Sequence, residues 1–191
     1  MYRMEPARRE GGGVAPAFLR DYSVRMPPQF RAVEPSDHAI IRKIVDAAFT
    51  PEDVAAFLDA LRRAGCLIGE WLAEDESAAI GCIAFSRAHL ETKEGARLPA
   101  AFLTPLGVRP DRQRQGVGLA LLRHALAQLE QRGENLFFVV GHPTYYPKAG
   151  FRAVAFDEVA SPWTGSPAFM MRCGFAPRGR LLAPPVIRDA H

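Results

Sequence analysis

Residues 103–118 read Leu103-Thr104-Pro105-Leu106-Gly107-Val108-Arg109-Pro110-Asp111-Arg112-Gln113-Arg114-Gln115-Gly116-Val117-Gly118. The stretch opens apolar, crosses a polar turn and ends in glycines at the head of a long amphipathic run. That order predicts a strand, a loop and a helix start. A helix N-terminus leaves several backbone N–H groups without partners, and its dipole favours negative charge. Gly116 and Gly118 lack a Cβ, so a pyrophosphate can approach the backbone there. Arg112, Arg114 and Gln115 add side-chain donors. A plain strand–helix connection has the same outline, and a lone Gly-x-Gly does not exclude it. A dinucleotide fingerprint is excluded, because Leu121 stands where its third glycine would fall.

Moving outward, Gly116 to Arg132 predicts a helix with Val117, Leu121, Leu122, Ala125, Leu126 and Leu129 on one face, stopped by Gly133. Ala100 to Val108 reads as the strand before it. Asn135 to Gly141 reads as a fully apolar, buried strand of the parallel-sheet kind after it. Tyr145 to Ala149 suits one helical turn, and strands are expected at Arg152–Val159 and Ala168–Cys173. Upstream, Phe30–Val33 is a short strand, and Pro35-Ser36-Asp37 starts a helix that buries Ile40, Ile41, Ile44, Val45 and Ala48. Pro51-Glu52-Asp53 opens a second helix with Val54, Phe57, Leu58 and Leu61 inward. Cys66–Ala73 and Ala78–His89 are strands joined by the acidic turn Glu74-Asp75-Glu76-Ser77. Residues 1–28, with Gly11-Gly12-Gly13 and Pro27-Pro28, read as a flexible tail; 29–176 read as one domain and 177–191 as a C-terminal tail.

With 191 residues, 48% of them hydrophobic and 24% charged, the chain is long enough for a core without disulfides or a structural metal. A net charge of +3, with no basic run interleaved with aromatics, argues against nucleic-acid binding. No apolar run is long enough to span a bilayer, and the polar start Met1–Glu10 is not a signal peptide, so the cytoplasm is the expected compartment. Cys66, Cys82 and Cys173 read as small apolar residues, and His38, His124 and His191 do not group with carboxylates at ligand spacing, so no metal is expected.

Gln113-x-x-Gly116-x-Gly118, set between an apolar strand and this helix, resembles the Gln/Arg-x-x-Gly-x-Gly/Ala signature of the GNAT superfamily of N-acetyltransferases. Val108-Arg109-Pro110-Asp111 is similar to that family's run into the loop. Tyr146-Pro147-Lys148-Ala149-Gly150-Phe151 resembles its Tyr-x-x-x-Gly-Phe element. The likeness covers residues 30 to 175, and the pairing of Pro105-Leu106-Gly107-Val108, His142-Pro143-Thr144-Tyr145-Tyr146 and Pro167-Ala168-Phe169-Met170 resembles a bacterial branch of small, mostly uncharacterised acetyltransferases. It implies an α/β fold with a central mixed, mostly antiparallel twisted sheet flanked by helices, in which a splayed strand pair holds CoA. It implies acetyl-CoA as co-substrate and an amine acceptor. Leu106, Gly107 and Val108 would bond the pantetheine arm, an N–H near Leu106 would polarise the thioester carbonyl, and Gln113, Arg114, Gln115, Gly116, Val117, Gly118 and Leu119 would hold the pyrophosphate. Tyr146 is the candidate general acid, with Tyr145 as fallback.

The base is not assigned. Ala100 to Val108 holds no carboxylate, and Glu70, Thr104, Ser86, His89 and His142 are the side chains considered. Trp163 is either a wall of the acceptor pocket or a cover for the core edge. No cysteine lies at the active end, which favours direct attack in a ternary complex, and the compact chain favours a small-molecule amine. A protein N-terminus or lysine as acceptor, and a non-catalytic acyl-CoA sensor, stay open beside it. A homodimer through an edge strand near Ala168–Cys173 is a further expectation.

Overall fold

The computed structural model describes residues 26–49, 53–76 and 78–184. The tail expected over residues 1–28 lies outside them up to residue 25, as do Pro51, Glu52, Ser77, His191 and the last residues from 185. The chain forms strands β1 (Gln29–Ala32), β2 (Leu67–Asp75), β3 (Ala78–Glu91), β4 (Arg97–Val108), β5 (Leu136–Val140), β6 (Arg152–Ala153), β7 (Val159–Ala160), β8 (Phe169–Cys173) and β9 (Gly179–Leu182). Its helices are α1 (His38–Ala48), α2 (Val54–Arg63) and α3 (Val117–Gln131).

One sheet runs β1-β2-β3-β4-β5-β8-β6, with β9 beside the end of β3 and β7 beside β9. Neighbours are antiparallel apart from the parallel pairs β4/β5 and β7/β9. The mixed α/β architecture is therefore the expected one, with two short additions. The run Arg152–Val159 does not form one strand; it breaks at a turn into β6 and β7. Residues 179–182, within the segment read as a C-terminal tail, form β9, which pairs Leu182 with His89 and takes over the edge of β3 where β2 has ended. Strand β8 is not an edge: β5 flanks it on one side and β6 on the other at Met170 and Met171.

Helix α3 covers one face. Its buried residues are the six the periodicity selects, and they pack on Trp71, Ile83, Phe85, Ala101, Leu103 and Phe137. Helices α1 and α2 cover the other face through Ile41, Ile44, Val45, Leu58 and Leu61. Ile40, expected inward, is 37% exposed, because Ile41, Ile44 and Val45 already fill the sheet-facing side. The start of α1 is fastened by Arg31, which bonds both oxygens of Asp37 (2.7 and 2.9 Å) and reaches Glu74 on β2 (2.8 Å). That guanidinium holds the Asp37 carboxyl down at about 2.

In β4 a bulge places Thr104 and Pro105 opposite the single residue Ala84 of β3. A strand interior tolerates proline at such a point because a bulge leaves a residue unpaired.

Candidate functional site

The site begins where two strands part. Parallel β4 and β5 are in register at Ala101–Phe137 and Phe102–Phe138 only. Past these pairs, Leu103, Leu106, Gly107 and Val108 keep their partners on β3 and have none on β5, while β5 ends at Val140. The large, buried rings of Phe102, Phe137 and Phe138 hold the strands together at the closed end. At the open end Leu106 and Val108 are half-buried against the α3-side core, together with Leu119, Tyr145 and Tyr146. These residues line the walls of a wedge-shaped cleft.

The β4–α3 loop closes one end of that cleft. Pro110–Arg112 forms a single 3₁₀ turn, and Arg112 reaches Asp75 at the end of β2 (3.1 Å), tying the loop to the sheet. Gln113 Nε2 donates to the Val108 carbonyl and Gln115 Nε2 to the Asp111 carbonyl, both at 3.0 Å. These three side chains thus brace the loop from within, where the sequence had suggested that Arg112 and Gln115 reach outward as donors. Arg114 is exposed, has no ion-pair partner among the described residues, and carries φ +60°, a conformation costly for a residue with a Cβ. Gly116, at φ +84°, caps α3. The first helical bond runs from Ala120 N–H to the Gly116 carbonyl, so the N–H groups of Gly116, Val117, Gly118 and Leu119 lie ahead of the bonded helix. The loop therefore offers backbone N–H groups, the positive end of a helix dipole and one arginine, a combination that suits a phosphate group.

Two tyrosines form the other wall. A 3₁₀ helix over Tyr146–Ala149 follows β5, as the sequence suggested. The ring of Tyr146 lies on Gly141: a Cβ there would meet Cε2 at 2.4 Å and Oη at 3.2 Å. Tyr145 lies on Gly118 instead, where a Cβ would meet its Oη at 2.6 Å and Val108 Cγ2 at 3.3 Å. The rings meet edge to face at 5.2 Å, and Tyr146 meets Phe151 at 5.8 Å. Burial, reinforced by Tyr145, pushes the Tyr146 phenol up to about 12; burial also raises Tyr145. The sequence pointed to Gly118 as room for a ligand. The space its missing side chain leaves is occupied by Tyr145.

The side chains considered as a base fare differently. Glu70 is held by Arg62 through contacts of 2.6, 3.1 and 3.2 Å. Ser86 is fully buried and donates to the Phe102 carbonyl at 3.4 Å. Thr104 Oγ1 donates to the same carbonyl at 3.5 Å. His89 lies opposite Pro99, toward the far end of β4, and His142 is exposed at the end of β5. Trp163 packs on Phe102 (5.4 Å) and Phe169 (6.1 Å), on the face away from α3. Among the described residues no three His, Cys, Asp or Glu side chains converge as metal ligands, and no helix is long and apolar enough to cross a membrane.

A parted parallel strand pair beside a glycine-capped helix is the arrangement that the resemblance to the acetyltransferases implies. Residues 29–154 match the family model described as the acetyltransferase (GNAT) domain, and the chain belongs to that family of N-acetyltransferases. Its relatives include the uncharacterised N-acetyltransferase YjhQ of Escherichia coli K12, 36% identical over 68% of this chain and 72% of that protein. The uncharacterised N-acetyltransferase YhbS of the same strain is 27% identical over 69% and 78%. A GNAT family acetyltransferase from Brucella melitensis, solved in complex with acetyl-CoA, superposes with TM-score 0.70 at 28% identity, covering 84% of this chain and 97% of its own. The crystal structure of YhbS in complex with CoA gives 0.78 at 20% identity over 100% and 98%, which speaks to the fold.

Proposed function

We propose that this acetyltransferase moves the acetyl group of acetyl-CoA onto a primary amine of a small-molecule acceptor, by direct attack in a ternary complex in the cytoplasm. The observation that carries the reading is the parting of β4 and β5 beyond Phe102 and Phe138, with the N-terminus of α3 beside it. An open strand edge offers backbone donors and acceptors to an extended, amide-bearing ligand, and the pantetheine arm is such a ligand. Leu106, Gly107 and Val108 would bond it, and the backbone of Gln113 to Leu119, with the Arg114 side chain, would hold the pyrophosphate. The acetyl-CoA complex of the Brucella relative supports this choice of donor.

In the reaction, the amine lone pair adds to the thioester carbonyl carbon and the C–S bond breaks. A backbone N–H near Leu106 stabilises the oxygen as it gains charge. Tyr146 gives its proton to the departing sulfur, and its raised pKa keeps that proton in place at neutral pH. With Glu70 and Ser86 engaged elsewhere, the amine enters neutral; after addition its nitrogen sheds one proton to water, and the Tyr146 phenolate takes a proton back from water.

The engagement of those two side chains also favours a second reading, an acyl-CoA sensor without turnover. Calorimetric titration with acetyl-CoA, free CoA and NADH comes first, followed by free-thiol release over a panel of amines and peptides. Binding of the two CoA species, with thiol release driven by a small amine, supports the transferase. Release driven only by peptides moves the acceptor to a protein N-terminus or lysine. Binding without release supports the sensor, and no binding to either CoA species ends both readings.

A further inference from the structure

The two adjacent tyrosines send their hydroxyls to different walls of the cleft. Tyr146 Oη lies near Gly141 at the end of β5, whereas Tyr145 Oη lies against Gly118 in the first turn of α3, next to Val108. Tyr145 is half-buried, and its hydroxyl has no hydrogen-bond partner among the described residues. A hydroxyl without a protein partner is free to donate to a ligand, and this one stands beside N–H groups that themselves lie ahead of the bonded helix. A phenol is a donor to anionic oxygen, and such charge-assisted bonds are the stronger kind.

We propose that Tyr145 is a cofactor-binding residue whose hydroxyl donates to a phosphate oxygen held at the first turn of α3, leaving Tyr146 to act at the thioester. Gly118 belongs to the same device. A side chain there would displace the Tyr145 hydroxyl, so Gly118 and Tyr145 form one functional unit split between α3 and the turn after β5. The inference rests on the acetyl-CoA reading above and adds to it: affinity for the phosphate end and chemistry at the sulfur are divided between neighbouring residues.

The test compares acetyl-CoA with acetyl-pantetheine, a thioester without phosphates, by calorimetry and by competition, in wild type, Tyr145→Phe, Gly118→Ala and the double variant. Tyr145→Phe should weaken acetyl-CoA about tenfold and acetyl-pantetheine by less than about twofold. Gly118→Ala should weaken acetyl-CoA too, and much less in the Tyr145→Phe background, because the displaced hydroxyl is already gone. KM for acetyl-CoA should rise in Tyr145→Phe while kcat at saturation holds. Equal weakening of both thioesters, additive effects, or no weakening would overturn the assignment. A fall in kcat with affinity intact would hand Tyr145 the acid's role instead. Wild type that binds acetyl-pantetheine and acetyl-CoA equally would leave the thioester site standing and remove the phosphate contact. Wild type that binds neither would remove the cofactor reading itself.

Discussion

Strand β4 has one edge bonded to β3 from Arg97 opposite Glu91 to Val108 opposite Gly81, while its other edge meets β5 at Ala101 and Phe102 alone. Both edges belong to the same residues, so composition does not separate them. The partner does. Strand β3 is long and turns back on β4, whereas β5 is five residues long and is followed by Gly141, under the Tyr146 ring. The bonded edge is core. The parted edge keeps backbone polar groups that need partners from water or ligand, which is how a scaffold strand comes to carry a binding site.

The largest expected effect comes from attacking the point where the edges still meet. Phe137 is 1% exposed, packs edge to face on Phe85 at 6.2 Å and lies under Arg172. Phe137→Ala should cost about 3–5 kcal/mol in urea unfolding; a loss below about 1 kcal/mol would mean that the closed end is not held by these rings. At the open end, Gly118→Glu brings a negative charge to the helix N-terminus and drives into Tyr145. Acetyl-CoA affinity should fall by at least about a hundredfold with the circular dichroism spectrum retained. Wild-type affinity in a folded variant would move the cofactor away from this loop.

Tyr146→Phe should lower kcat by about a hundredfold with little change in acetyl-CoA affinity. Its pH behaviour adds a second check. The folded phenol lies near 12, above its ordinary value near 10, so the proton stays on through pH 10 and the advantage of the folded state is lost only between about 10 and 12. The wild-type rate should therefore show no alkaline fall below pH 10; a fall near pH 8 would exclude Tyr146 as the acid.

The smallest effect tests a place remote from both edges. Asp37 is held near 2 by Arg31, below its unfolded value of 3.8, so its contribution is present above about pH 4 and disappears as pH falls through 2. Asp37→Asn should cost at most about 1 kcal/mol at pH 7, since Arg31 is 40% exposed, and the gap to wild type should narrow as pH falls from about 4 toward 2 and close only below it.

Periodic features were legible in advance. The face of α3, the fully apolar β5 and the glycine cap of the loop follow from local pattern, and each lies where the pattern puts it. The Gln113-x-x-Gly116-x-Gly118 motif in that position, with the Tyr146–Phe151 element downstream, carries the resemblance to the family. What local pattern does not carry is pairing. The short β6 and β7, and β9 within the segment read as a tail, depend on partners distant in the chain. The same holds for the Arg112–Asp75 tie and the filling of Gly118's space by Tyr145. In each case a long-range neighbour decides where a side chain goes, and a single sequence names the side chain without the neighbour.

The bulge at Thr104 and Pro105 sets the phase of everything after it. Ala101 and Leu103 face α3 before it, and Leu106 and Val108 face α3 after it, so the extra residue converts an odd register to an even one. Gly107 then looks the other way, toward Phe49 and Cys82 beneath α1. An uninterrupted strand would exchange these faces, turning Gly107 toward the tyrosines and Leu106 toward α1. The β4–α3 loop would leave the sheet half a pleat out of step with the helix it must start. One inserted residue therefore acts as the timing element of the site.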